Sequence, residues 1–397
     1  MRYKQKYYSE MSIIGLLALL SAFPPLSIDL YLPALPHVVE ELHASQATVN
    51  LSLSLFFIFF ALGILLWGPI SEKYGRKPIL LIGLVLYIVG SASCALSPNV
   101  HGLIAARIVQ AFGGGAAGAV AAAMVKDIFT GRKRESVLAV IMTMVIIAPV
   151  VAPVLGAIIL QYMSWTAVFW VLTCVGIVAL LLSLRLEETL TDRYTGSLLH
   201  SLGRLGVVLK NPGFSILLAV FSLAPLPLMA FIAASSFIYI EGFGMTERMY
   251  SYYFAFNALG AIAGPFLYIR LSKRFSPGNI IAICFGLLLV CGILMRSESG
   301  NSPTVFALTM AAASTLLSLL RPPTVNLMLS QQQRDTGSVA ALISFTGMAM
   351  GSLGMVLISL DSQNFIPNLG LMQILVGAIC ASLWLMIRGR SFICQPA

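Results

Sequence analysis

Asp29 is the residue of this chain best placed to do chemistry. Of the 15 acids in the 397-residue sequence, it is the only one set well inside an apolar run. A carboxyl in hydrocarbon is costly, and one retained there is a functional candidate by default, for proton binding or ion pairing. The other reading is an acid close enough to a helix end to reach the interface. Arg107 is its natural partner. Each lies about six residues from the outer end of its own apolar run, so at 1.5 Å rise per residue both sit about 9 Å from that face. Matched depth puts a direct or water-bridged pair within reach. The alternative for Arg107 is a guanidinium that snorkels outward.

A second constellation runs from Gly68 to Pro78, as Gly-Pro-Ile-Ser-Glu-Lys-Tyr-Gly-Arg-Lys-Pro. It reads as a tight charged loop, with Gly68 and Gly75 allowing close approach and positive φ. Glu72 has Lys73, Arg76 and Lys77 as basic neighbours, so an ion-pair network at a helix end is expected. A third feature is Ala148-Pro149-Val150-Val151-Ala152-Pro153-Val154-Leu155-Gly156. Prolines four apart weaken the hydrogen-bond ladder of a helix. Ala148, Ala152 and Gly156 form a small-residue stripe. Arg321, before Pro322 and Pro323, is the other charge inside an apolar run. It either meets substrate or reaches the cytoplasmic interface. Tyr31, Gln110 and Asn257 are candidates to line a substrate cavity with Arg321. Met142, Met144, Trp170, Phe231 and Tyr239 join that wider set, their rotation about the helix axis being open.

Other chemistries are excluded. Gly113 to Gly118 contains a Gly-x-Gly-x-x-Gly string, but inside an apolar helix rather than after a strand, so it reads as helix packing and not as a dinucleotide site. No histidine falls in an apolar run, which removes a histidine proton relay. No phosphate-binding lysine loop, zinc spacing or nucleophile elbow occurs. The six cysteines show no ligand or disulfide spacing and read as small buried hydrophobes. An enzyme is not expected, nor a metal or cofactor; the energy source is a gradient.

The elements that position these residues are membrane helices. The chain is 58% hydrophobic and 10% charged, against about 25% charged in soluble domains. Twelve apolar stretches of helical length are expected, at 11–35, 46–70, 78–97, 101–125, 136–160, 166–186, 213–240, 247–270, 279–296, 303–330, 337–360 and 366–388. No small-x-small cleavage site precedes Pro24-Pro25, so the first is read as retained. The net charge of +9 is lopsided: 20 of the 24 Lys and Arg fall on one side if the N-terminus is cytoplasmic. That is the positive-inside rule, and it places both termini in the cytoplasm. The basic balance orients the chain and calls for no nucleic acid. Residues 187–212 carry the longest polar stretch and divide an N-terminal half, 1–186, from a C-terminal half, 213–397. Leu198–Leu209 has the spacing of a helix lying on the membrane surface. Gly264-Pro265 followed by Lys273, Arg274 and Pro277 echoes Gly68-Pro69 and its basic followers, which suggests a diverged repeat.

The Gly68–Pro78 string resembles the loop between helices 2 and 3 of major facilitator superfamily transporters, with Glu72 where that family usually has Asp. Ile28-Asp29-Leu30-Tyr31-Leu32-Pro33 resembles the first-helix signature of the twelve-span drug/proton antiporters. Leu103-x-x-x-Arg107-x-x-Gln110-x-x-Gly113 resembles their fourth-helix motif, which is linked to proton transfer. Residues 148–156 resemble the fifth-helix antiporter motif, with Ala-Pro in place of Gly-Pro as in the Bcr/CflA (bicyclomycin/chloramphenicol resistance) branch. The resemblance implies an all-α fold of two pseudo-symmetric six-helix halves around a central cavity, in the bacterial inner membrane. It implies a monomer that exports drugs or similar small amphipathic molecules in exchange for protons, by alternating access. Asp29 and Arg107 would couple the proton; Gly68, Glu72, Gly75, Arg76 and Lys77 would latch the cytoplasmic side. With one acid and one or two cations in the cavity, neutral or zwitterionic substrates are expected. A proton-coupled exporter of a native sugar, nucleoside or amino acid is the alternative, ahead of an uptake symporter or a non-transporting receptor.

Overall fold

Why these residues make helices is plain from the solvent: within a bilayer every backbone N–H and C=O needs an internal partner, which a helix supplies. The structure, a computed structural model, describes residues 7–191, 193, 196, 198–298, 302–332, 336–390 and 393, with backbone only at 198–202, 298 and 336. Arg2, Lys4, Lys6, Asp192, Arg334, Asp335 and Cys394 lie outside the described residues, as do the side chains of His200 and Glu298.

Among the described residues, eleven helices are long and apolar enough to cross a membrane, and one bent pair makes a twelfth. That pair is span 1, Glu10–Ser21 plus Phe23–Glu41, bent by 44°. Spans 2 to 6 are Gln46–Tyr74, Arg76–Ala95, Val100–Ile128, Gly131–Tyr162 and Thr166–Leu184. Spans 7 to 12 are Pro212–Gly242, Glu247–Leu271, Pro277–Ser297, Pro303–Ser330, Gly337–Ser359 and Phe365–Ile387. Their starts carry side-chain caps: Ser45 Oγ accepts from Thr48 N, Asn99 Oδ1 from Gly102 N, and Thr246 Oγ1 from Met249 N. The amphipathic helix Leu198–Leu209 is also present. Outward faces are apolar, as lipid requires: Ile82, Val85 and Val89 on span 3 and Val178 and Leu181 on span 6 are exposed. Cys94, Cys284 and Cys380 are buried as expected, but Cys174 is exposed on that lipid face and Cys291 is half-buried.

The chain divides into two compact units, Met1–Ser201 and Leu202–Ala397. In the first, span 1 packs on span 5, span 2 on span 4, and span 3 on spans 4 and 6. In the second, span 7 packs on span 11, span 8 on span 10, and span 9 on spans 10 and 12. The pairings repeat with an offset of six spans, and the repeat reaches the atoms. A Cβ at Gly156 of span 5 would lie 2.3 Å from the Leu30 carbonyl oxygen of span 1. A Cβ at Gly354 of span 11 would lie 2.3 Å from the Leu226 carbonyl oxygen of span 7. Only a residue without a side chain allows either contact.

Prolines shape span 1. Pro24 and Pro25 open the short helix Phe23–Asp29, and Pro33 sits in a 3₁₀ turn, Leu32–Ala34, before Leu35–Glu41. Each proline lacks the N–H that would continue the helix before it. At the C-terminal end of span 1, Trp165 Nε1 donates to Glu41 Oε2 at 2.8 Å, tying span 1 to the start of span 6.

Candidate functional site

The break in span 1 sets Asp29 at the last turn of Phe23–Asp29, buried, with 5% of its surface exposed. Its carboxylate has no protein hydrogen-bond or ion-pair partner among the described residues. Span 5 packs against this short helix, and the Gly156 contact falls on the next residue, Leu30. The small-residue stripe therefore serves span 1: Ala148, Ala152, Pro153 and Gly156 are buried, while Val151 and Leu155 face outward. The helix runs on through both Pro149 and Pro153.

Arg107 is fully buried on span 4. The expected Asp29–Arg107 pair is not formed. The guanidinium is held elsewhere: Nη1 donates to the Ser27 carbonyl at 3.0 Å and to Gln110 Oε1 at 2.6 Å. Its carbon lies 4.2 Å from the ring centre of Phe56, 5.2 Å from Tyr31 and 5.8 Å from Phe169. Aromatic faces stabilise a desolvated cation where no carboxylate does. Nε and Nη2 have no protein partner among the described residues. Ser27 is two residues from Asp29, so the cation is anchored to the same turn as the acid.

Polar side chains extend from Arg107. Gln110 Nε2 donates to Ser91 Oγ at 2.8 Å, Ser91 Oγ donates to the Tyr87 carbonyl at 2.7 Å, and Tyr87 Oη shares a hydrogen with Ser27 Oγ at 2.7 Å. Tyr31 Oη reaches Ser52 Oγ at 3.3 Å. Sequence spacing exposed Arg107 and Gln110; Ser27, Ser91 and Tyr87 were missed, because a lone Ser or Tyr in an apolar run carries no signal.

Between spans 2 and 3 the expected loop shrinks to one residue. Span 2 continues as helix to Tyr74, span 3 begins at Arg76, and only Gly75 lies between. Gly75 has φ +110°, the left-handed side that favours glycine. Gly68 is helical, with open space where a Cβ would stand, so it needs neither property expected of it. Arg76 is buried, and its main partner is not Glu72. Nε meets Asp127 Oδ2 of span 4 at 3.0 Å and Nη1 donates to Ser71 Oγ at 2.6 Å. Glu72 is exposed and only 4.0 Å from Nη2.

Glu188, just after span 6, completes this cluster and was missed as a site residue. Its Oε1 accepts from Arg76 N at 2.9 Å, Thr189 N at 3.0 Å and Leu190 N at 3.1 Å. Its Oε2 accepts from Lys77 N at 3.2 Å. The Arg76 and Lys77 amides are among the orphan donors of the span 3 N-terminus, where a negative charge is favoured. Lys77 Nζ donates to the Leu184 carbonyl at 2.9 Å.

The remaining candidates are spread over both units. Arg321 is exposed on span 10, and Asn257 is buried on span 8. Phe231 and Tyr239 are buried; Met142, Met144 and Trp170 are exposed. Among the described residues no His, Cys, Asp and Glu cluster could hold a metal.

The sequence profile of the Major Facilitator Superfamily matches residues 17–355. The chain belongs to the Major Facilitator Superfamily. Superfamily members are carriers rather than enzymes, and this one is a multi-pass membrane protein. It is 29% identical over 365 residues to an uncharacterized MFS-type transporter, YdgK, of Bacillus subtilis (strain 168), covering 90% of this chain and 91% of that one. It is 29% identical over 289 residues to the multidrug resistance protein MdtL of Citrobacter koseri, covering 73% and 74%. Among solved superfamily folds, a bacterial homolog of the human lysosomal transporter Spinster matches with TM-score 0.77 at 14% identity, covering 99% of this chain and 100% of that one. The nucleoside transporter NupG matches with TM-score 0.74 at 12% identity, covering 95% and 98%. These structural likenesses concern the fold.

Proposed function

We propose that this superfamily member is a proton-coupled antiporter that exports drugs or similar small amphipathic molecules by alternating access. Asp29 carries the reading: a carboxyl buried within a span, with no protein partner among the described residues, is a proton site that can load and unload. Arg107, anchored two residues away, would set the field that the proton works against. Likeness to MdtL supports a drug as cargo, and Ala148-Pro149 followed by Leu155-Gly156 supports the Bcr/CflA branch. The lysine and arginine distribution supports a bacterial inner-membrane location with both termini cytoplasmic. Arg76, Asp127 and Glu188 would form the cytoplasmic latch, in place of the Glu72–Arg76 pair. No cofactor other than the proton gradient is invoked, and the working unit is a monomer.

Substrates are neutral or zwitterionic on this reading, since Asp29 is the one buried acid among the described residues and Arg107 and Arg321 are cations. One titratable group gives one proton per cycle. Neutral drug out against one proton in moves one charge, so voltage as well as a pH gradient drives export. The test is uptake into inverted proteoliposomes with wild type and Asp29→Asn. Gradient-driven export by the Asn variant at the wild-type rate removes Asp29 from the mechanism. Export of a native metabolite is the second reading, as the fold fits a nucleoside transporter equally well. A drug-susceptibility panel in an efflux-deficient host separates the two.

A further inference from the structure

The second unit contains a buried aromatic cluster with one mismatch in its polar atoms. Tyr239 stands at its centre, fully buried on span 7. Its ring is 5.2 Å from Tyr253 in a stacked arrangement, 5.3 Å from Phe306 edge-on, and 6.1 Å from both Tyr250 and Phe243. Two of the three tyrosine hydroxyls are matched. Tyr250 Oη meets Ser235 Oγ at 3.0 Å and Tyr253 Oη meets Thr304 Oγ1 at 3.2 Å. Tyr239 Oη is not matched. The side-chain amide of Asn257 lies beside it, and Tyr239 Oη closes no hydrogen bond among the described residues. Asn257 Nδ2 is committed to the Tyr253 carbonyl at 3.0 Å, and Oδ1 accepts nothing among the described residues. Two adjacent spans thus present one free donor and one free acceptor side by side, each nine-tenths buried or more.

Buried polar atoms are rarely left so, because an unmade bond costs the full desolvation of the group. Local backbone points the same way. Tyr239 sits in a π-helical turn, Phe237–Gly242, closed by Phe243 N to the Ile238 carbonyl at 2.9 Å. Such turns disrupt regular pairing and concentrate at functional positions. The named neighbours of the Tyr239 ring and hydroxyl are all uncharged. An ion entering here would lose its hydration without a counter-charge.

We propose that Tyr239 and Asn257 form a specificity subsite for an uncharged aromatic group that carries a hydrogen-bond acceptor and a donor, such as an aryl alcohol or aryl amide. This deepens the export reading and rests on it. The aromatic neighbours supply stacking partners, Tyr239 Oη donates, and Asn257 Oδ1 accepts. A site built around matched polar atoms rejects an analogue lacking them more strongly than an apolar pocket rejects a missing methyl.

The test is equilibrium binding to purified protein in lipid nanodiscs, with no gradient. The probes are chloramphenicol, phenylethanol and benzamide, with ethidium as a cationic control. Tyr239→Phe removes only the hydroxyl and should weaken binding of the best neutral probe about tenfold or more. Tyr268→Phe, on span 8 but packed against a different cluster, should change it less than about twofold. Asn257→Leu should also lose binding yet keep or raise the melting temperature, because it removes an unmet acceptor. A purely structural role predicts the reverse, with a lower melting temperature and unchanged binding. The subsite is overturned if wild type binds none of the neutral probes, or if Tyr239→Phe binds them as well as wild type. Tyr239-dependent binding without gradient-driven export in proteoliposomes would leave the subsite standing and sink the export reading instead.

Discussion

Replacing Glu188 by Gln should open the junction between spans 2 and 3 without unfolding either helix. The Gln oxygen can keep the bonds that Oε1 receives from Arg76, Thr189 and Leu190. Its NH₂ group would then stand where Oε2 now accepts from Lys77 N at 3.2 Å. One net hydrogen bond is lost, about 1 kcal/mol, and a helix-end donor is left facing another donor, about 1–2 kcal/mol more. Removing a negative charge from the helix N-terminus adds about 0.3–1 kcal/mol. The sum is about 2–4 kcal/mol, or about 30- to 1,000-fold in the opening equilibrium. Hydrogen exchange in nanodiscs reads this directly, since local opening sets the rate for a protected amide. Peptides spanning Arg76 and Lys77 should exchange faster by that factor, while the middle of span 3 stays protected. Unchanged protection at those two amides, within about threefold, would refute the reasoning, because these bonds would then not be what holds the junction shut.

Asp29→Asn should abolish gradient-driven export while leaving drug binding within about threefold, read by paired transport and equilibrium-binding assays. Arg76→Ala and Asp127→Asn should give the same defect, a slowed conformational cycle with nearly unchanged affinity, since the two residues share the 3.0 Å pair; a collapse of affinity with unaltered cycling would break that link. Gly156→Val should lower the yield of folded protein or halt transport, because its first carbon would meet the Leu30 carbonyl at 2.3 Å; wild-type yield and activity would show that span 5 can retreat. An imposed membrane potential at equal pH on both faces should drive export of a neutral drug, and voltage-insensitive export would rule out one uncompensated charge per cycle.

Much of this molecule was legible in its sequence for a physical reason. A bilayer demands apolar helices about 20 residues long, and each such run announces itself. All twelve appear, and the expected break at Pro24-Pro25 falls at Ala22 in the structure. Local depth was legible too, since Asp29 and Arg107 do anchor to one turn. Direction around the helix axis was not. Arg107 points into Tyr31, Phe56 and Phe169, all three on other spans, rather than at the carboxylate. Arg321 proved exposed on the same ground. The cluster at the junction of spans 2 and 3 shows the other limit. Glu72 and Arg76 are four apart and invite pairing, but Asp127 and Glu188 win from 51 and 112 residues away. No local pattern signals a partner so distant in the chain.

The glycine contacts at Leu30 and Leu226 bear on how each half can deform. Helices usually key into one another through side-chain ridges and grooves, which fix their crossing angle. At Gly156 and Gly354 that key is missing, and backbone rests on backbone. Such a contact resists approach but opposes rotation weakly. Each half therefore owns one bearing, set against the proline-interrupted helix that leads it. The two bearings occupy chain-equivalent places, so one mechanical element is written twice in the chain.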